Sequence, residues 1–452
     1  MTLATASDTL EPVEPGLPPV ARTARIPGGF VAGGRAIGIK ASGRPDLALI
    51  LAADGPAAAA AVFTPNAFAA APVRRSRATL AASAGWVRAV VSTSGCANAA
   101  TGAAGEADQV RVGALVGAAL GVGEDEVLHL STGVIGTRLP LERVETGLGE
   151  LGPHLAATDA GLEAAAIALR TTDSTTKAAM ATVRLPGPAG GERECRITGI
   201  AKGVGMIHPR MATMLAVILT DAGASPEVLA SILRPAAART WNQLSVDGDT
   251  STNDTVFLLA SGAAGAPTVA AGTPAAASLA AAVEAVARDL ARQQAADGEG
   301  ATCLLTCQVT GAADDADARA VARAVISSSL VKAAAHGKDP NWGRIAGAAG
   351  NARLADAAVL AAAGLAPADA FLRGGTPATL DPERLRIAIG GHLVFDGRAG
   401  GPQAFDRPAA RSALNAPEIL IRLDLGLGSG FGEAFGCDLT EAYVRENSEY
   451  TT

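Results

Sequence analysis

At 452 residues the chain exceeds an ordinary single domain, and an apolar share of 49% gives it material for a large core. Aromatic residues are only 3%, so that core must be built mainly from Ala, Val, Leu and Ile. A formal net charge of −7 leaves no basic stripe to displace counterions from phosphates, which excludes nucleic acid as a partner.

In chain order, the first twenty-odd residues carry Asp8, Glu11 and Glu14 among four prolines and lack a basic start followed by an apolar run. They read as a mobile tail over residues 1–27, with ordered structure from Gly28. Two apolar stretches, Leu47–Ala52 and Ala57–Phe63, flank the turn signal Asp54-Gly55-Pro56 and suggest a hairpin. The basic cluster Arg74-Arg75-Ser76-Arg77 reads as a solvated loop. Trp86–Val91 is a strand candidate running into Ser92–Asn98. Ala107–Leu120 and Leu141–Leu151 have helical spacing, and Glu163–Leu169 leads toward Thr171-Thr172-Asp173. Ala181–Leu185 and Cys195–Ile200 are predicted to pair around the turn at Pro186–Gly191.

In the second half, helices are predicted at Pro226–Arg239, Ala275–Ala296, Ala313–Ser327 and Leu330–Ala335. Strands are expected at Cys303–Val309, Arg384–Gly390, His392–Phe395 and Glu418–Leu425. Ala361–Arg373 and the glycine-rich stretch 397–402 read as linkers. Strands and helices mix without strict alternation, which predicts a layered α/β (α+β) architecture over a doubly wound parallel sheet. A smaller C-terminal region is expected from about residue 310.

Five cysteines, an odd number, are a reduced, intracellular pattern in a chain this long. Cys303 and Cys307 have a spacing that some metal sites use, yet no second pair completes four ligands, so they read as core residues and no metal is expected. The Ala-rich runs are broken by Gly, Pro or charge, so no membrane span is expected and a cytoplasmic protein is.

Chemistry concentrates in Lys202–Leu215, KGVGMIHPRMATML. A small residue, Ala212, precedes a hydroxyl residue, Thr213, at the start of an apolar run. That order suits an intramolecular N→O acyl shift, in which the hydroxyl attacks the preceding carbonyl and the ester then hydrolyses. The freed Thr213 carries a hydroxyl and an α-amine together, and an amine with a pKa of about 7.7–8.0 can act as base to its own nucleophile. Read alone, the same residues also suit a buried Thr in plain core. A phosphate loop is discounted, because GxxxxGK[ST] is absent.

Ser131–Gly136 follows the apolar Val127–Leu130, so Thr132 and Gly133 can present a hydroxyl and backbone N–H groups to one point; a strand-to-loop turn is the plainer alternative. Val246–Asp254 alternates carboxylates with Gly, but Gly248 comes too early for a calcium loop and no Glu closes it, leaving a hydrogen-bonded loop near the site. Asp297-Gly298-Glu299-Gly300 is either a surface helix end or a carboxylate aimed at a substrate ammonium.

These stretches, in this order, resemble the ornithine acetyltransferase (glutamate N-acetyltransferase) family of arginine biosynthesis. The resemblance also takes in Gly38-Ile39-Lys40, Val62–Asn66, Ser94–Asn98, Gly298–Thr302, Asp339–Arg344, Gly436–Thr440 and Tyr443…Asn447…Thr452, and covers the chain from about residue 28. It implies an αββα-like sandwich of N-terminal-nucleophile type. It also implies self-cleavage between Ala212 and Thr213 into an α chain, 28–212, and a β chain, 213–452, with a docked C-terminal tail. Thr213 then takes acetyl from N2-acetylornithine and passes it to glutamate in a ping-pong exchange. By the same resemblance Thr132 and Gly133 form the oxyanion hole, while Thr171 or Thr172, Lys202, Glu299, Asn447 and Thr452 contact substrate. No cofactor is implied, acetyl-CoA remaining open as an alternative donor, and the cleaved chains are expected to assemble as an α2β2 heterotetramer.

The chain departs from the family pattern at Thr93 and Cys96 in TSGCAN, at Ser174–Thr176 before Lys177, at Cys303, and at His208 and Arg210. None removes the nucleophile, but together they leave room for a different substrate. A related N-terminal-nucleophile amidase or aminopeptidase, handing the acyl group to water, is the alternative reading.

Overall fold

The computed structural model describes residues 10–187, 190–208, 214–354 and 377–448. In its first part the elements are β1 (Phe30–Arg35), β2 (Leu47–Ala52), β3 (Ala57–Phe63), α1 (Ala71–Ala82), β4 (Trp86–Val87), β5 (Ala89–Cys96), α2 (Gly102–Leu120) and β6 (Val127–Val134). They continue as α3 (Leu141–Leu151), α4 (Asp159–Leu169), β7 (Lys177–Pro186) and β8 (Glu192–Lys202). After residue 213 come β9 (Leu215–Thr220), α5 (Pro226–Arg239), β10 (Leu244–Ser245), β11 (Thr255–Ala260), α6 (Pro274–Ala296) and β12 (Leu304–Ala312). The remainder is α7 (Asp315–Ser327), α8 (Ser329–His336), α9 (Trp342–Gly350), β13 (Arg386–Ile389), β14 (His392–Asp396), β15 (Gly401–Pro402), α10 (Arg407–Ala413), β16 (Glu418–Asp424), β17 (Gly430–Cys437) and α11 (Glu441–Ser448).

These strands form three sheets, ordered β1-β2-β5-β6, β4-β3-β11-β9-β8-β7 and β10-β17-β12-β16-β13-β14-β15. Alternation along each strand builds the first two into layers. Ala48, Ile50, Val90, Leu128 and Leu130 of the first sheet face Leu215, Val217, Leu219, Phe257 and Leu259 of the second across a shared core. The opposite residues of the first sheet, such as Leu47, Leu49 and Val91, pack with Val112 and Val116 of α2 and Val144 and Leu148 of α3. The outer face of the second sheet is covered by α5 and α6. The order helix, sheet, sheet, helix is the layered α/β arrangement expected from the sequence.

Helix α4 enters the shared core through Leu162, Ala165, Ala166 and Leu169. It lies so close to β1 that a Cβ on Gly34 would stand 2.2 Å from the Ala164 carbonyl oxygen. This approach fixes where Thr171 and Thr172 emerge. The third sheet has its own core with α7, α8 and α9. Its other face meets α6, where Arg288 pairs with Glu433, Arg292 pairs with Glu418 at 2.8 Å, and both guanidiniums stand over the Phe435 ring.

Several expectations change. The apolar stretches around Asp54-Gly55-Pro56 do not pair: β2 joins β1 and β5, whereas β3 joins β11 and β4. The turn carries the chain from one sheet to the other, and each strand gains two apolar neighbours that a lone hairpin would lack. Arg74–Arg77 is not a loop but lies inside α1, with Arg74 paired to Glu106 and Arg75 to Asp125, and with Ser76 buried against the His129 backbone. Residues 10–27 of the expected mobile tail are laid across the molecule. Val13 exchanges two backbone hydrogen bonds with the Gln308 side chain, Arg22 pairs with Asp289 of α6, and Ala21 bridges Met180. Apart from its edge strand β10 (Leu244–Ser245), the third sheet takes its strands from Leu304 onward, before the residue 310 expected, with β12 pairing with β17 from that residue. The stretch 397–402, read as linker, includes the edge strand β15, and Ala361–Arg373 lies outside the described residues.

Candidate active site

Parallel pairing of β5 and β6 sets Ser94 beside Thr132 and Gly95 beside Gly133 where both strands end. Gly133 has φ +129°, and a Cβ there would lie 2.3 Å from the Gly95 carbonyl carbon. Only glycine fits, and the chain bends with Thr132 and Gly133 facing a cavity. Asn253 fastens this bend: its amide donates to the carbonyls of Ala97 and Ser131, both at 2.8 Å. The loop before it is held by Thr64 Oγ1, donating to the Ser251 carbonyl at 2.7 Å.

The cavity, of about 320 Å³, is lined by Thr132, Gly133, Val134 and Ile135 from β6 and its exit, and by Thr171 and Thr172 after α4. Lys202 ends β8 and is followed by Gly205 and Met206; Ser251–Asn253 and Glu299 complete the floor, with Asn447 from α11 at the rim. Seven residues singled out from the sequence (Thr132, Gly133, Thr171, Thr172, Lys202, Glu299 and Asn447) therefore meet around one space. Ala212, Thr213 and Thr452 lie outside the described residues.

Glu299 is not a surface helix cap. It is 7% exposed, its Oε1 accepts from Thr172 Oγ1 at 2.8 Å, and its Oε2 accepts from Asn447 Nδ2 at 3.0 Å. Gly205 makes room for it, since a Cβ there would come within 2.0 Å of a carboxylate oxygen. Also in the lining, Lys202 Nζ donates to Thr132 Oγ1 at 3.2 Å. Burial lowers the Lys202 pKa, and Asp173 opposes that by stabilising the ammonium.

Behind the lining is a buried charge cluster. Lys177 Nζ donates to Asp173 Oδ1 at 2.8 Å, to Asp297 Oδ2 at 2.6 Å and to the Thr175 carbonyl at 3.2 Å. Asp173 also accepts from the backbone N–H groups of Gly203 at 2.8 Å and Thr171 at 3.1 Å. Burial by itself would raise the Asp173 pKa; Lys202 and Lys177 outweigh it and hold the carboxyl at about 2.

Two further carboxyls organise the segments flanking residues 209–213. Asp247 accepts from the N–H groups of Met206 at 2.5 Å and Ile207 at 2.8 Å, holding Met206 in the left-handed region at φ +51°. Burial raises the Asp247 pKa despite these donors. Asp254 Oδ1 accepts from the Met214 N–H at 3.1 Å, and burial drives its pKa well above the ordinary carboxyl value. The loop 246–254 is thus hydrogen-bonded and beside the cavity, as its sequence suggests. The reading missed that Ser251–Asn253 line the space. Their presence in the collinear motifs was the available signal.

Among the described residues no group of three or more His, Cys, Asp or Glu side chains is arranged to hold a metal ion, and no helix is long and apolar enough to cross a membrane. Cys303 and Cys307 are buried thiols.

The sequence matches the ArgJ family over residues 31–452. The chain belongs to the ArgJ family. It is 46% identical to the arginine biosynthesis bifunctional protein ArgJ of Thermosynechococcus vestitus, over 94% of this chain and 96% of that one. It is 45% identical to the ArgJ protein of Thermus thermophilus, over 95% and 99%. Among solved structures, the ornithine acetyltransferase of Mycobacterium tuberculosis, complexed with ornithine, is 37% identical, covering 42% of this chain and 97% of that one with a TM-score of 0.37. ArgJ membership fits the collinear motifs, several of which meet at the cavity: Ser94–Asn98 and Ser131–Gly136 join through the β5–β6 pairing, and Val62–Asn66 meets Asp247–Asp254 through Thr64 and Asn66.

Proposed function

We propose that this chain is the acetyltransferase of arginine biosynthesis that moves acetyl from N2-acetylornithine to glutamate through an ester on Thr213. The observation that carries this reading is the convergence of Thr132, Gly133, Thr171, Thr172, Lys202, Glu299 and Asn447 on one cavity in an ArgJ chain.

The chemistry follows from residue types. Thr213 Oγ first attacks the Ala212 carbonyl, the C–N bond breaks to free the Thr213 α-amine, and hydrolysis of the resulting ester releases the Ala212 carboxylate and restores the Thr213 hydroxyl. In turnover that amine takes the hydroxyl proton while Oγ attacks the acetyl carbonyl of the donor. The proton then goes to the departing ornithine α-amine as its C–N bond breaks. Glutamate's amine attacks the ester in the reverse sense, giving acetylglutamate and restoring the hydroxyl. The tetrahedral oxygen of each step lies between the Thr132 hydroxyl and the Gly133 N–H, where removing one donor typically costs about 2.7–4 kcal/mol of barrier. Lys202, hydrogen-bonded to Thr132, reinforces this positive end. No cofactor is needed, since donor and acceptor balance the reaction. The two cut chains remain associated and pair as α2β2.

Glu299, which also lines the cavity, is the counterion for the ornithine side-chain ammonium. Incubation with N-acetylornithine, with and without glutamate, tests the whole scheme. Acetylglutamate is expected when glutamate is present, and intact mass is expected to show an acetyl adduct on a fragment starting at Thr213. Acetate release indifferent to glutamate would replace transfer by hydrolysis. Glu299→Gln is expected to raise the KM for N-acetylornithine about 10–100-fold, the loss of one charge-assisted contact of roughly 1.5–3 kcal/mol, and to affect glutamate much less. Equal losses for both substrates in steady-state kinetics would remove the counterion role.

A further inference from the structure

Three of the segments that line the cavity are joined behind it, two of them at one ammonium group and the third through Asp173. The 171–177 segment carries Thr171 and Thr172, the end of β8 carries Lys202, and the turn after α6 carries Glu299. Lys177 is fully buried, and its three donors go to Asp173, Asp297 and the Thr175 carbonyl. Asp173 passes the connection to Gly203, next to Lys202, and to the backbone of Thr171. Asp297 passes it to the turn two residues before Glu299, and it also accepts from the Ser174 and Thr175 backbone N–H groups at 3.0 and 3.3 Å.

We infer that Lys177, which is not among the residues lining this cavity, is a positioning residue that sets the spacing between Thr172, Lys202 and Glu299 by clamping Asp173 to Asp297. The inference deepens the reading of the cavity as the site for N-acetylornithine and rests on it. Two observations carry it. The Thr172–Glu299 hydrogen bond of 2.8 Å joins the same two segments that Lys177 joins through Asp173 and Asp297, so the visible contact at the site duplicates a hidden one. The cluster is also nearly closed to water: without the ammonium, the Asp173 and Asp297 carboxylates would repel each other there, and the spacing of the two segments would widen even though the Ser174 and Thr175 N–H groups still donate to Asp297. Lys202 is coupled to this cluster by charge, because Asp173 stabilises its ammonium while Lys177 opposes it.

The test compares wild type, Lys177→Met and Asp297→Asn, with N-acetylornithine and glutamate varied separately. Lys177→Met is expected to raise the KM for N-acetylornithine by about tenfold or more, as a disrupted buried polar contact would, and to shift the KM for glutamate less. The acid limb of its kcat/KM profile moves to higher pH, because Asp173 loses a cation that keeps it ionised. Combined with Glu299→Gln it adds little to the single variant, as expected when one residue acts through the other. Asp297→Asn is isosteric and sits nearer the surface. It shows the same split at smaller size and decides the matter by itself if Lys177→Met does not fold. An active wild type whose two variants keep both KM values, or lose only the fraction of active protein, overturns the assignment alone. A wild type that moves no acetyl overturns the functional reading and this assignment with it.

Discussion

Thr213→Ala is expected to give a single uncut chain of about the full 44.7 kDa on a denaturing gel, with no acetyl transfer, where the unchanged protein is expected to give two pieces. Both losses come from one atom. Without Oγ no nucleophile can attack the Ala212 carbonyl, so the α-amine that would serve as base is never released. Activity falls on the order of 10⁴–10⁶-fold, the range seen when a nucleophile or its partner is removed from a covalent mechanism. Thr213→Ser keeps the hydroxyl and cuts more slowly. A Thr213→Ala protein that still splits between residues 212 and 213 would show that cleavage proceeds without the hydroxyl.

Gly133→Ala has the second largest expected effect. At φ +129° the new methyl meets the Gly95 carbonyl carbon at 2.3 Å and the Cys96 nitrogen at 2.6 Å, and both are backbone atoms that cannot rotate away. The ends of β5 and β6 must separate, which moves the N–H proposed to face the tetrahedral oxygen. A fall in kcat of about 10²–10³ is expected, matching one lost oxyanion donor. Gly136→Ala is the control. Its φ of +86° imposes a similar backbone penalty, but nothing lies within 4 Å of its Cβ, so stability falls without a comparable loss of kcat. Equal kcat losses in both variants would separate the effect from the oxyanion geometry.

Much of the fold was legible because periodicity and boundary residues agree. Leu141–Leu151 was read with the boundaries it has, and β7 and β8 pair around the predicted turn. Strand β17 escaped notice because its glycines hide its pattern. A Cβ on Gly432 would lie 2.5 Å from the Arg319 nitrogen, and one on Gly430 would lie 2.3 Å from the Asp314 carbonyl. The approach of α7 demands the residues that weaken the strand signal. The misread hairpin has a different cause: a turn signal shows where a chain reverses, not which sheet receives it. At the site, linear motifs located the lining, since each occupies a few consecutive residues. The Lys177–Asp297 pair left no local trace, because 120 positions separate its members.

The order of the central strands bears on what a break before Thr213 would do to the molecule. Strands β8 and β9 are antiparallel neighbours from Ile197 to Lys202, and β3 lies against β11, so in each half of the gene product there are strands with one edge covered by the other half. Scission there would fall between strands already paired and would leave the ladder whole. Synthesis as one polypeptide is thus a scaffold for assembly: the tether guides the strands into place at low entropic cost and is dispensable once they are zipped. On the proposed cleavage, proteolysis would be the final step of maturation, and neither product would be a domain in its own right.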